Sequence, residues 1–280
     1  MQELSVIMTT YNENLNFLKN CINSVLQQTF NNFDFIIVVE PDETNMNFLE
    51  SVASMDKRVT ILKNKTKLGI SGSRNRAIQE SSGEYIAIID GDDYCDLSRF
   101  EKQLKFLENN PGISVVGSNM YLIDEDNNII GERRYPEVYR DIKRSFLLTM
   151  PIANPAVMTR KKDLIEVGYF NSTFSKSEDF ELWLRFLVKN KKMYNLLENL
   201  LYYRVPLKNN IKRSRLHWKN NYIARKRHSR FIWPIHKRFC SLFLYFFISK
   251  IPGIFLNNLL DLKITNRIRN INVNMAQCDR

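Results

Sequence analysis

Three carboxylates stand together in Asp90-Gly91-Asp92-Asp93, directly after the apolar run Tyr85-Ile86-Ala87-Ile88-Ile89. Carboxylate oxygens suit a hard divalent cation such as Mn2+ or Mg2+. A cation held there would grip a diphosphate and neutralise charge on a leaving nucleotide. Gly91 is expected to let the chain turn tightly enough for Asp90 and Asp92 to converge; an Asp-rich surface turn is the competing reading of this segment alone. A second acidic pair, Glu178-Asp179, precedes Phe180-Glu181-Leu182-Trp183-Leu184-Arg185. Acidic residues complement the dipole at a helix start. The chemical alternative is a general base that takes a proton from an attacking hydroxyl. A third segment runs Lys67-Leu68-Gly69-Ile70-Ser71-Gly72-Ser73-Arg74-Asn75. Its two glycines and helix start offer backbone N–H groups to an anion, and Arg74, read as exposed, offers charge-assisted bonds to phosphate.

The elements that must position these groups alternate along the first half of the chain. Ser5–Thr9, Phe35–Val39, Val59–Leu62 and Tyr85–Ile89 read as strands, the second and last as strands buried on both faces. Helices are expected over Leu15–Gln28, Met46–Met55 and Ser73–Glu80. This alternation implies βαβ units and a mostly parallel, Rossmann-like sheet. Ligands of such sheets bind beyond the carboxyl ends of the strands, where the polar clusters Thr9–Glu13, Glu40–Asp42 and Asp90–Asp93 fall. After Leu104–Glu108 the pattern is mixed. Strands are expected at Ser114–Asn119, Met120–Asp124 and Asn154–Thr159, and helices at Lys161–Val167 and Phe180–Lys189. From Asn209 the chain reads as helical, basic and aromatic.

The net charge of +11 is unevenly spread. From Arg204 onward there are 17 Lys and Arg against Asp261 and Asp279, whereas residues 1–203 hold 24 basic and 28 acidic side chains. The basic end therefore expects an anionic surface, nucleic acid or acidic lipid. The acidic front half argues against a nucleic-acid groove. Cys21, Cys95, Cys240 and Cys278 show no pairing or metal spacing, which points to a reducing compartment. The N-terminus lacks the basic and apolar regions of a signal peptide.

In order, Ser5-Val6-Ile7-Met8-Thr9-Thr10-Tyr11-Asn12-Glu13, Val38-Val39-Glu40, Gly69 to Arg74-Asn75, Gly83-Glu84-Tyr85-Ile86 to Asp90-Gly91-Asp92-Asp93, and Glu178-Asp179 to Leu182-Trp183 resemble the family-2 glycosyltransferases over roughly residues 4–205. The resemblance implies an α/β GT-A fold and an inverting, metal-dependent transfer from a nucleoside-diphosphate sugar, a UDP-sugar foremost. It places Tyr11 against the base with Thr9 and Glu13 nearby, and Glu40 or Asp42 as the base contact. Lys67, Gly69, Arg74, Asp90 and Gly91 fall on the donor side, with Arg74 at the diphosphate. Asp92 would be the chief metal ligand, joined by Asp90, and Asp179 the catalytic base. Asn154, Glu178 and Trp183 fall on the acceptor side. Two departures stand out. The family's Val-Asp-Asp-Gly-Ser reads Val39-Glu40-Pro41-Asp42-Glu43 here, and Pro206 follows Tyr203-Arg204-Val205 where many relatives have His. The resemblance further implies a saccharide acceptor, lipid-linked, in the assembly of cell-surface polysaccharide. The other function classes are a nucleic-acid-binding protein and a non-catalytic relative that only binds.

The expected organisation is a catalytic domain over 1–208, with a nucleotide-sugar half to about 110 and an acceptor half from about 111. A membrane-associating region over 209–280 follows. Phe239–Ile248 is an apolar run half the roughly 20 residues that a membrane span needs, and Ile254-Phe255-Leu256 resumes it after Lys250 and Pro252. Arg225, Lys226, Arg227, Arg230, Lys237 and Arg238 could meet anionic headgroups, with Trp218 and Trp233 at headgroup level. The reading is a cytoplasmic protein, peripheral on the inner face of the membrane. Packing of the run on the catalytic domain or in a homodimer is its alternative.

Overall fold

The computed structural model describes residues 2–205 and 215–250, and the backbone of 271–273. Strands β1 (Leu4–Thr10), β2 (Phe33–Val39), β3 (Val59–Lys63) and β4 (Tyr85–Asp90) are joined through helices α1 (Leu15–Leu26), α2 (Met46–Met55) and α3 (Gly69–Glu80). They lie parallel in the order β3-β2-β1-β4. The side chain of Asn14 starts α1 by accepting the Asn16 N–H at 2.9 Å, a local cap of the usual kind.

The second half mixes directions. It runs β5 (Tyr94–Cys95), α4 (Arg99–Asn109), β6 (Ile113–Ile123), β7 (Ile129–Arg133) and α5 (Tyr139–Ser145), then a 3-10 turn (Asn154–Ala156), β8 (Met158–Arg160), α6 (Lys161–Val167), α7 (Glu178–Val188) and β9 (Lys192–Arg204). Strand β8 lies antiparallel between β4 and β6, and β9 runs parallel to β6. The two strands expected at 114–119 and 120–124 form the single strand β6, whose pairing with β9 slips on either side of Asn119. Asn119 bridges that irregularity, donating to the Leu197 carbonyl at 2.7 Å and accepting the Tyr135 N–H at 2.7 Å. The strand expected at Asn154–Thr159 is mostly turn, because Pro155 cannot donate to a ladder.

Period-two alternation sorts β1, β2 and β4 onto two buried faces. Val6, Met8, Phe35, Ile37, Ala87 and Ile89 pack under α1 and α4. Ile7, Ile36, Val38, Ile86 and Ile88 pack against α3 and α7 on the other side. Two further helices, α8 (Arg215–Ile232) and α9 (Ile235–Lys250), follow, and β10 (Ile271–Val273) pairs with β7. Ala224, Ile232 and Trp233 belong to the second face's core. The core thus continues past the boundary expected at residue 208, and α8 is built into it. Trp218 and Trp233 are 5% and 8% exposed and Arg225 is 1% exposed, so none of the three is placed to meet a headgroup. The Arg225 guanidinium instead lies over the Phe180 and Tyr245 rings and donates to the Phe146 carbonyl, and burial pulls its pKa down to about 10. Residues 206–214, Ile254-Phe255-Leu256 and Cys278 lie outside the described residues.

Candidate active site

The parallel register brings the carboxyl ends of β1, β2 and β4 to one edge, with Thr9 beside Val38 and Asp90 and Thr10 beside Val39. The chain leaving β1 carries Tyr11, 44% exposed, and the Lys67 ammonium sits 4.4 Å from its ring centroid. These two side chains from separate loops form one wall of the edge. Behind them Glu40 is buried, accepting from the Leu68 N–H at 3.0 Å and the Ser73 hydroxyl at 2.7 Å. Its carboxylate ties the end of β2 to the start of α3. Gly69 takes a φ of +68° at that start, a conformation that favours glycine. Asp42 is exposed with a φ of +64°, at the glycine position of the family pattern. Sequence reasoning missed Glu43. It is buried and accepts the backbone N–H groups of Asn12 at 2.8 Å and Asn45 at 3.0 Å, so it holds the loops after β1 and β2 together.

The acidic turn stands in the middle of this edge. Gly91 has no left-handed φ, so, against the expectation from sequence, the turn does not depend on glycine's conformational freedom. An added Cβ there would meet Glu13 Cγ at 3.4 Å, an ordinary contact. Burial and the neighbouring Asp92 and Asp90 push the Glu13 carboxyl up to about 7, and burial with Asp90 pushes Asp92 up to about 6. Asp93 points the other way, accepting the Arg204 N–H at 2.8 Å. Arg204, another residue not foreseen, clasps the turn to β9. Its Nε donates to the Asp92 carbonyl at 2.9 Å, and its guanidinium lies 3.9 Å from the Phe17 ring centroid.

Arg74 is not an exposed loop residue. It lies on α3, 3% exposed, donating to Asp90 Oδ1 at 2.6 Å and to Glu178 Oε1 at 3.0 Å. Burial opposes its charge, but Asp90, Glu178 and Asp179 outweigh that and hold its pKa above the ordinary value. One guanidinium thus joins the acidic turn to the acidic pair at the start of α7. Glu178 is spent on that pairing. Asp179 is half-buried beside it and, among the described residues, accepts only the Phe180 N–H of its own helix, at 2.7 Å. Burial and the adjoining Glu178 push Asp179 up to about 7, the range of a working general base. The residue before the pair, Ser177, has a φ of +65° and is held from α8, accepting from Asn221 Nδ2 at 2.8 Å and bonding His217 Nδ1 at 2.8 Å.

Asn154 is 4% exposed, and neither its amide nitrogen nor its oxygen finds a partner among the described residues. Buried polar groups are ordinarily satisfied, so the amide is an exception, shared with the Trp183 and Trp233 indole N–H groups. Trp183, expected on the acceptor side, is fully buried in the core against Phe186 and presents no surface to an acceptor. Apolar spacing along α7 explains the placement: Phe180, Leu182, Trp183, Leu184, Phe186 and Leu187 are all buried.

Asp90 and Asp92 offer hard oxygen donors, and the raised Asp92 and Glu13 carboxyls mark a crowding of like charge that a divalent cation relieves. Among the described residues no three His, Cys, Asp or Glu side chains form a complete cage. Mg2+ is commonly held by one or two carboxylates together with substrate phosphates.

Comparison with known proteins follows the same lines. Residues 5–168 match the family model described as Glycosyl transferase family 2. An uncharacterized glycosyltransferase of Methanocaldococcus jannaschii is 35% identical over 279 residues, 93% of each chain. The Escherichia coli UDP-Glc:alpha-D-GlcNAc-diphosphoundecaprenol beta-1,3-glucosyltransferase WfgD is 29% identical, over 67% of this chain and 70% of its own. Among solved structures, the Pyrobaculum calidifontis mannosyltransferase PcManGT, in complex with GDP-Man and Mn2+, superposes with a TM-score of 0.65 at 13% identity. That match covers 95% of this chain and 82% of the other.

Proposed function

The chain belongs to glycosyl transferase family 2, and from that premise we propose that it moves a sugar with inversion from a UDP-sugar to a hydroxyl of a saccharide carried on a lipid diphosphate. The observation that carries this reading is the Arg74 clamp. It draws Asp90 of the donor edge and the Glu178-Asp179 pair into one site although they lie far apart in sequence. The donor and acceptor in WfgD's name supply the model for both substrates.

Tyr11 and Lys67 receive the base, with Glu40 and Asp42 behind and beside it, and Thr9 and Asp90 border the ribose. The backbone at Gly69 and Gly91 lines the diphosphate path. Arg74 keeps its place by holding Asp90 and Glu178 and contributes positive charge from within the wall. Asp92 and Asp90 would hold Mn2+ or Mg2+, which when bound supplies neutralising charge for the departing diphosphate. Asp179 accepts the proton of the acceptor hydroxyl as that oxygen bonds to the anomeric carbon. The bond from that carbon to the diphosphate oxygen breaks on the opposite face, and its electron pair leaves with the nucleotide. An oxocarbenium-like transition state follows, as in glycoside hydrolysis. The orphaned amide of Asn154 contacts the acceptor sugar. The pathway served is cell-surface polysaccharide assembly.

The same reading places the protein on the anionic face of a membrane. No helix among the described residues is long and apolar enough to cross one. Helix α9 exposes Phe239, Phe243 and Phe247 at helical spacing, with Lys237 exposed beside them and Lys226, Arg227 and Arg230 exposed on α8.

The test is a panel of UDP-, GDP- and dTDP-sugars, with release of nucleoside diphosphate followed with and without EDTA. The anomeric configuration of the product is then read by NMR. A UDP-sugar should be turned over with inversion and silenced by EDTA. Retention of configuration, or turnover that survives EDTA, would remove the mechanism proposed.

A further inference from the structure

Helix α7 begins in an unusual way. An N-cap serine ordinarily keeps an extended backbone and gives its hydroxyl to the first N–H groups of its own helix. Ser177 does neither: it takes φ +65° and ψ +29°, and its side chain caps nothing in α7. A left-handed conformation in a residue other than glycine costs free energy and persists only where the surroundings impose it. Here the surroundings are α8. Asn221 Nδ2 donates to Ser177 Oγ at 2.8 Å, and His217 Nδ1 bonds the same oxygen at 2.8 Å. One residue earlier, Asn220 Nδ2 donates to the Lys176 carbonyl at 2.8 Å.

The grip continues past the acidic pair. The Arg225 guanidinium, one turn beyond Asn221, lies 4.2 Å from the Phe180 ring centroid, and His228 Nε2 bonds Glu181 Oε1 at 2.9 Å. Glu178 is held by Arg74. Every residue from 176 to 181 except Asp179 is thus fixed by a side chain of another element, four of the five by α8. The Asp179 carboxylate has only the Phe180 N–H among the described residues, so its direction is inherited from the backbone on either side. Asn221 joins these holds. Its Oδ1 accepts from Arg225 Nη1 at 2.9 Å, which leaves Nδ2 turned toward Ser177. Asn221, Ser177 and Arg225 are all buried, so water does not compete for these bonds.

We propose that Asn221 is a positioning residue for the transfer reaction: through Ser177 it sets the entry of α7 and so aims the Asp179 carboxylate at the acceptor hydroxyl. Helix α8 then belongs to the catalytic apparatus and is no appended tail. The proposal rests on Asp179 as the base, and the experiment reads the two apart.

Turnover is measured on the full chain with the nucleotide sugar that the donor panel selects, beside calorimetric affinity for its nucleoside diphosphate in Mn2+. Asn221→Ala should lower kcat at least about tenfold, because a small misplacement of a reacting group is expensive, while donor KM and nucleotide affinity hold. Ser177→Gly relieves the left-handed backbone and removes the hydroxyl; it should fold even where Asn221→Ala does not, and show the same fall. In D179N/N221A the second substitution should slow turnover no further than D179N alone, because its effect passes through the carboxylate. One readout needs no substrate. The Glu181 N–H, bonded to the Ser177 carbonyl at 3.1 Å, should exchange about tenfold faster in Asn221→Ala as the entry of α7 loosens. Wild-type kcat in Ser177→Gly or in folded Asn221→Ala overturns the positioning role. So do unchanged exchange at Glu181, equal falls in kcat and nucleotide affinity, and a double variant slowed by the product of the single losses. A slow Asp179→Asn beside any of these leaves the base standing. Asp179→Asn at the wild-type rate removes the base and the positioning role with it.

Discussion

At the scale of single residues the site is a set of carboxylates crowded together and restrained by one guanidinium. Asp179 shows the consequence most directly. Its raised pKa means that the folded chain holds a proton the unfolded chain has already released. From about pH 4 to about 7 the unfolded state binds fewer protons, so this group's contribution to stability is lost as pH rises through that window. Catalysis needs the opposite form. Asp179 faces Glu178 on its own helix, Arg74 on α3 and Asp90 on β4, and kcat/KM should fall on the acid side of about pH 7. Asp179→Asn should therefore lower kcat by at least about a hundredfold, leave UDP affinity near wild type, and raise the melting temperature at pH 8. Loss of UDP binding with turnover intact would reverse the assignment. Arg74→Ala makes a separate test. It strands the buried Glu178 and half-buried Asp90, and removing one partner from a buried pair costs about 3–5 kcal/mol. Arg74→Lys keeps the charge without the two-pronged donor and should recover only part of this. A loss below about 1 kcal/mol in urea would make the clamp no better than an exposed ion pair.

At the scale of elements the decisive contacts are backbone approaches. Gly83, just ahead of β4, donates its N–H to Ser5 Oγ at 2.8 Å, and an added Cβ would come 2.5 Å from the Ser5 nitrogen. That obstacle is main chain in β1 and cannot rotate away. Gly83→Ala should thus destabilise by more than about 2 kcal/mol, seen as a lower urea midpoint with an unchanged slope. A midpoint like wild type would mean that β1 and β4 can part more easily than their pairing suggests. The strands β2 and β4 were legible in the sequence because burial on both faces leaves the unbroken apolar runs 35–39 and 85–89. Strand β9 was not: Asn195, Glu198 and Asn199 interrupt it, Leu197 is 61% exposed, and its pairing with β6 slips three times along its length. The site divides in the same way. Asp90, Asp92 and Asp179 stand in local patterns that a reader can see. The burial of Arg74 depends on a partner 104 residues away, and the clasp of Arg204 on the acidic turn spans 112, so neither leaves a local trace. Helix α8 misled for a related reason. Its exposed face is basic, which hid Ala224 and Ile232 on the face that joins the core.

At the scale of the whole molecule the charge asymmetry and the exposed aromatic helix bear on one question, whether the protein sits on a membrane. Cutting the chain before Arg225 would divide α8 inside the core, so loss of flotation in such a fragment would report unfolding. Point substitution on α9 avoids this. Phe239, Phe243 and Phe247 are 66%, 58% and 49% exposed, and their rings touch in sequence along the helix, the first pair stacked and the second tilted. Trp218 and the buried Tyr245 hold α9 to α8 from the other side. Replacing all three phenylalanines by Ser removes apolar area from water's side of the helix and little from the core, so the melting temperature should hold. Each fully inserted Phe contributes about 1.5–3 kcal/mol of transfer energy, and each nearby Lys or Arg about 1 kcal/mol at an acidic leaflet. Wild type should float with phosphatidylglycerol vesicles at low salt and progressively less as salt screens the cations. F239S/F243S/F247S should stay in the dense fraction at every anionic content. Equal flotation of variant and wild type would leave attraction by charge alone. Concentration-dependent dimerisation of wild type, abolished in the variant without any effect of lipid, would assign the aromatic face to a second copy of this chain.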